Sequence, residues 1–159
     1  MTKGFHWIAR RLVKTNVVLM NDKAAVSTIL SDDLQNGGLV ARAAIEDLAK
    51  QLLLEPEPKR LQKQLCYDSA RVNQLYEQNP TKPKMMLQAE AQVSMNAITA
   101  AIHCGKNAGK SALAIFPKFT FLNHSCNPNA QNLHSEDGMS LTVRALRDIP
   151  KGCFIIFLC

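Results

Sequence analysis

The amino-acid sequence predicts an α+β protein, with a helical N-terminal part followed by a small, mostly antiparallel β region. Three observations carry that prediction: helical periodicity on both sides of a proline-rich break, short alternating or apolar runs after Lys110, and an Asp-Gly pair between two of those runs. On this reading residues 1–84 form a helical region of no assigned family, and residues 85–159 carry the β region.

Met1 to Asn21 contains Lys3, Arg10, Arg11 and Lys14 and no acid, with Phe5, Trp7, Ile8 and Leu12 between them. The pattern predicts an ordinary surface helix. A basic amphipathic transit peptide would have the same composition. Gly37-Gly38 separates the segment around Ala24 to Leu34 from a run in which Val40, Ala44, Ile45, Leu48, Leu52 and Leu53 recur at three- and four-residue steps, the signature of a helix with one apolar face. Glu55-Pro56-Glu57-Pro58 stops it, because proline has no N–H to donate. A short polar helix is predicted from Arg60 to about Glu77. The prolines at 80 and 83 then push their preceding residues out of helical conformation. A second strong helix is predicted from about Met85 to His103, with Gly105 as its C-cap.

After Lys110 the period shortens. Ala112 to Phe116, Phe119 to Leu122, Leu141 to Leu146 and Cys153 to Leu158 read as strands bounded by turn residues. Glu136-Asp137-Gly138 joins Ala130–His134 to Met139–Ala145 as a hairpin, since glycine accepts positive φ. Ile149-Pro150-Lys151-Gly152 marks another turn.

With 159 residues, 47% hydrophobic and 20% charged, the chain suits one globular domain with a real core. The net charge of +6 is spread from Lys3 to Lys151 with no dense basic block, so direct nucleic-acid binding is not expected. Five scattered cysteines without a Cys-x-x-Cys pair do not form a disulfide framework and point to the reducing cytoplasm or nucleus. The basic N-terminus leaves mitochondrial targeting open beside these. No apolar run approaches the ~20 residues that a membrane-spanning helix needs, so no membrane partner is expected.

One stretch carries chemistry: Phe119-Thr120-Phe121-Leu122-Asn123-His124-Ser125-Cys126-Asn127-Pro128-Asn129-Ala130. A strand ending at Leu122 is followed directly by four hydrogen-bonding or metal-competent side chains and an Asn-Pro-Asn turn. Such a run forms either a buried hydrogen-bonded corner or a ligand site. A structural histidine at 124 or a turn-capping asparagine at 123 would look the same in sequence. The adjacent pair His103-Cys104 is a poor metal site, because neighbours rarely ligate one tetrahedral ion together.

Asn123-His124-Ser125-Cys126-x-Pro128-Asn129 resembles the signature of SET-domain protein-lysine methyltransferases, closest to their SET- and MYND-containing branch. Ile115-Phe116-Pro117 before it, and Val143-Arg144-Ala145-Leu146-Arg147-Asp148-Ile149 with Gly152 after it, resemble that family's flanking strands in the same order. The likeness spans about Met95 to Cys159. Asn96 is a weaker match to an asparagine that precedes the motif. The resemblance implies a partial SET fold with its pseudoknot, S-adenosylmethionine as cofactor, and transfer of a methyl group to a lysine of a histone or other protein. It assigns Leu122, Asn123 and His124 to the cofactor. Cys126 matches a zinc ligand, and zinc is implied only if a post-SET cysteine cluster is supplied elsewhere.

The departures from the pattern matter as much. The family's N-terminal glycine-x-glycine strand and MYND finger have no counterpart, since Gly37-Gly38 lacks the spacing. Where the family carries its catalytic tyrosine, this sequence has Cys159, so no catalytic residue is assigned. The expectation is a methyltransferase domain cut short before the post-SET region and incomplete or inactive as this chain. The alternative is a non-catalytic SET-like protein-interaction module.

Overall fold

The computed structural model describes residues 7–30, 37–54 and 60–157, with the side chains of residues 37–41 and 124 not among them. Val17-Val18-Leu19-Met20 is β-branched and apolar, a composition that favours extended over helical backbone. It opens strand β1 (Val18–Lys23), which is followed by β2 (Val26–Ile29). The surface helix expected before Asn21 is therefore corrected over its described part, and residues 1–6 lie outside the described residues. The reason is tertiary. Residues 7–23 run antiparallel to 140–155 along one bent ribbon. Ile155 N donates to Trp7 O (2.8 Å), Ala9 N to Cys153 O (3.0 Å), and Val13 and Ile149 exchange both bonds (2.9 and 2.8 Å). Beyond a corner at Asn16, whose φ is 65°, β1 continues the ribbon from Val18↔Arg144 to Lys23↔Ser140. Asparagine is among the residues that tolerate this left-handed conformation.

The helices follow these two strands rather than preceding the whole β region. Helix α1 (Gly37–Leu54) ends just ahead of the proline-rich stretch, as its periodicity predicts. The single helix expected from Arg60 to Glu77 is split. Residues 60–62 are helical, a turn at 63–64 ends them, and helix α2 (Ser69–Gln78) starts afresh at Asp68, whose carboxylate accepts from Ala70 N at 2.9 Å. A side chain that caps at 68 competes with continuing the helix through it.

Helix α3 (Lys84–Asn96) begins after Pro83 but stops well short of His103. Ile98-Thr99-Ala100-Ala101 forms strand β3 (Ile98–Ala101), paired antiparallel with β4 (Ser111–Ile115). Gly105 is thus not a helix C-cap; it sits at φ 73° in the 3-10 turn Gly105–Asn107 between these strands. The strand expected over Phe119 to Leu122 is a 3-10 turn, Phe119–Phe121. Its cause is a buried carboxylate described below.

The remaining strands are β5 (Asn123–His124), β6 (Ala130–His134), β7 (Ser140–Ala145) and β8 (Ile156–Phe157). The β6–β7 hairpin and the Pro150–Gly152 turn form as predicted; Gly138 and Gly152 have φ of 72° and 86°. The five-stranded sheet has the order β1-β7-β6-β8-β5, and the three-stranded sheet the order β2-β4-β3.

Two main clusters of buried side chains hold these layers. One joins Phe116, Phe119, Leu141, Val143, Ile149 and Phe157 within the larger sheet. The other packs Leu48 and Leu52 of α1 and Val93 of α3 on Val26 and Ile115 of the smaller sheet. Gln92 is buried on α3 with its hydrogen bonds filled. Its Nε2 donates to Gln62 O and Leu65 O (2.8 and 3.0 Å), and its Oε1 accepts from Gln62 Nε2 (2.8 Å). Lys82 ties α1 to α3 through Glu46 (3.4 Å) and Glu90. Burial works against its ammonium, but the two carboxylates outweigh burial and hold its pKa above the ordinary lysine value. No helix among the described residues is long and apolar enough to cross a membrane.

Candidate functional site

The corner after Phe121 is built from a distance. Asp22 of β1 is buried, and its Oδ2 accepts from Lys118 N at 2.6 Å and from Phe119 N at 2.9 Å. Those two N–H groups open the 3-10 turn, where they would otherwise lack partners. The carboxylate therefore winds 118–121 into a turn and delivers Leu122, itself buried, to the start of β5.

From there the chain wraps β8. Asn123 and His124 pair parallel with Ile156 and Phe157 on one side, and Ala130 pairs with Phe157 on the other. Ser125 N donates to Phe157 O at 2.9 Å as the chain crosses over, and Ser125 Oγ accepts from Asn127 N at 3.1 Å.

Asn129 locks this wrap. Its Nδ2 donates to Phe154 O (2.7 Å) and its Oδ1 accepts from Ile156 N (2.9 Å). Its own N–H donates to Ile156 O (3.1 Å), and its carbonyl accepts from Leu146 N (2.9 Å). Four polar groups of one buried residue are thus satisfied, three of them by the segment it embraces and the fourth by Leu146, the arrangement that a buried amide requires. The ring of Phe119 packs against Phe157, tilted by 57° with 4.5 Å between centroids, and closes the apolar side.

The residues singled out from sequence are therefore brought together. Leu122 lies in the core, Asn123 is half-buried, and the main chain of His124 belongs to β5, the outermost strand of its sheet. Cys126 is exposed on the crossing loop and is in no disulfide. Among the described residues no three His, Cys, Asp or Glu side chains gather as a metal site, so those present do not fit zinc at Cys126. Sequence reasoning missed Asp22 and the clamping role of Asn129. The available signal for Asp22 was a lone acid at the end of the apolar run Val17 to Met20.

A trough of about 1080 Å³ runs beside the corner, lined by residues 7–14 and 17–19 together with Phe121 and Ile155. Leu122 and Asn123 do not line it. Lys14 of this lining is held by Asp148, which accepts from Lys14 Nζ (2.8 Å), Thr15 N (2.9 Å) and Thr15 Oγ1 (3.1 Å). The Lys14 ammonium and then the two Thr15 donors hold the Asp148 carboxyl down to about 2.

No curated protein matches the chain. A family profile described as the SET domain does match it, over residues 11–156, so the match takes in the N-terminal ribbon as well as the corner. On that coverage, the chain belongs to the SET-domain family, a family of the lysine-methyltransferase type.

Proposed function

We propose that this chain is a protein-lysine methyltransferase module of the SET- and MYND-containing branch, receiving S-adenosylmethionine against Leu122, Asn123 and His124. The wrap of residues 123–130 around β8 is read as the family's pseudoknot. The observation that carries the proposal is the position of Asn123-His124 as the edge strand β5 in a chain of this family. An edge strand keeps one row of main-chain groups beyond its sheet's own ladder, which suits recognition of an adenine edge by the His124 backbone. The half-buried Asn123 amide can both donate and accept, which suits the charged amino-acid end of the cofactor.

S-adenosylmethionine, when bound, supplies a methyl group on a sulfonium. The protein's residues supply shape and dryness. Leu122, Phe119 and Phe157 keep the base of the corner apolar, and Asn129 fixes β8 to the segment that enters β6. The acceptor is a lysine of a histone or other protein. At a free-lysine pKa near ~10.4 less than about 0.1% of that amine is neutral at pH 7, so the site has to desolvate it.

Turnover by this chain is slow or absent in this reading, because Cys159 stands where the resemblance places the catalytic phenol. Cys159 itself lies outside the described residues. The chain's two tyrosines, Tyr67 and Tyr76, belong to the helical part. Cys126 would enter a zinc site only with thiolates from elsewhere.

Calorimetric titration with S-adenosylmethionine tests the proposal. Weak saturable binding that disappears in Asn123→Ala, with an unchanged denaturation midpoint, supports it. Equal binding by the variant, or none by the wild type at millimolar cofactor, refutes it.

A further inference from the structure

The trough beside residues 7–19 carries charge of one sign. Arg10, Arg11 and Lys14 line it, and among the described residues no carboxylate does. Lys14 is engaged by Asp148, whereas Arg10 and Arg11 are exposed and make no ion pair or hydrogen bond among the described residues. The walls are apolar: Ile8 and Leu12 are each 51% exposed, Val17 44% and Val18 42%. Exposed aliphatic groups gathered in one concavity, rather than scattered, mark an interaction surface.

The backbone supplies a third feature. The limb from residue 8 to 13 bonds to 149–153 through Ala9 and Val13 and bends away between them at Arg10 and Arg11, which leaves the main-chain groups of Arg10 and Leu12 outside that pairing. Among the described residues those groups bond to no other backbone. Main-chain groups left open in this way can pair with an incoming segment. Two copies of this limb would bring their arginines together, which disfavours self-pairing. A concave surface with apolar walls and only two unpaired cations also suits neither a flat membrane nor a phosphate backbone.

We propose that the trough docks an extended acidic segment of a partner protein, one that alternates carboxylates with aliphatic side chains. Its main chain pairs with the open groups of Arg10 and Leu12, its carboxylates meet Arg10 and Arg11, and its aliphatic groups pack on Ile8, Leu12 and Val18.

The test uses the full chain and a short fluorescein-labelled peptide of alternating glutamate and valine, read by anisotropy and by the emission of Trp7, the only tryptophan in the chain. The expected result is saturable binding that shifts Trp7 emission and slows amide exchange at Arg10 and Leu12. It should weaken as salt rises from about 0.05 to 0.5 M, and fall roughly tenfold or more, about 1.4 kcal/mol or more, in R10E/R11E. A lysine–valine peptide and a glutamate–glycine peptide should bind far less. If R10E/R11E does not fold, the salt titration and the two control peptides on the unaltered chain decide. No binding, equal binding of the lysine peptide, indifference to the arginine changes, or preference of the same arginines for phosphatidylserine vesicles or single-stranded DNA overturns the proposal.

Discussion

Replacing Asp22 by alanine should cost about 3–4 kcal/mol of folding free energy, and replacing it by asparagine only about 1–2. The difference follows from which oxygen does what. Oδ2 accepts from both Lys118 N and Phe119 N, while Oδ1 accepts only from Lys23 N at 3.1 Å. Alanine strands all three donors. A stranded donor costs roughly 1–3 kcal/mol when buried. The Phe119 bond is buried and belongs near the middle of that range, whereas the Lys118 and Lys23 bonds are part-buried and belong toward its foot. Asparagine can keep its oxygen at the Oδ2 position and hold the turn. It then loses the negative charge and turns an N–H toward Lys23 N. Urea denaturation of the three proteins measures the series. For a chain of this size 1 kcal/mol is about 2–4 °C in Tm, so alanine should melt roughly 6–16 °C below wild type. A loss under about 1 kcal/mol in the alanine variant would mean that the turn holds itself. Equal losses in both variants would mean that charge, not acceptor geometry, winds residues 118–121.

Three further outcomes are expected. Asp148 has its folded pKa held to about 2, below its ordinary 3.8, so the Lys14–Thr15–Asp148 lock stabilises the fold above about pH 4 and is lost as pH falls through 2; urea midpoints between pH 5 and 2 should fall more steeply for wild type than for Asp148→Asn. Gly138 and Gly152 both have positive φ, but a Cβ at 138 would lie 3.3 Å from Ile102 Cγ1 and 3.4 Å from Ala101 O, whereas one at 152 meets nothing within 4 Å. Gly152→Ala should therefore cost about 1–2 kcal/mol for conformation alone, and Gly138→Ala visibly more in the same denaturation assay. Gln92→Leu leaves Gln62 O, Leu65 O and Gln62 Nε2 without their partner, and a loss of about 2–4 kcal/mol is expected; a neutral result would show that these groups find water.

Where one element's own side chains decide its conformation, the sequence could be read. The apolar face of α1, the stop ahead of Pro56, the break at Pro80 and Pro83 and the hairpin with Gly138 are all local matters. The errors fall where a remote partner decides. Residues 7–23 resemble an amphipathic helix until 140–155 is placed beside them; the ribbon then satisfies the backbone of both segments and extends what would have been the edge strand β7. Ile98–Ala101 continues the helical pattern of α3 on paper, but it becomes a strand because Ser111–Ile115 lies alongside. Phe119–Phe121 has strand composition and is a turn because Asp22, 97 residues away, accepts its first N–H.

The same division runs through the candidate site. Asn123, His124 and Cys126 could be singled out because they stand together in the chain, but nothing in that run says what holds it. The supports are long-range. Asp22 winds the turn before it, Asn129 grips a strand whose main chain lies 25 and 27 residues on, and residues 7–9 anchor the far end of that strand through Cys153 and Ile155. A site built this way is as rigid as the ribbon that frames it. Loosening the N-terminal ribbon at Ala9 or Val13 should therefore disturb Asn123 without touching it, through β8. That coupling is why residues 7–23 belong to the account of the site, although no residue among them is part of the motif that first pointed to it.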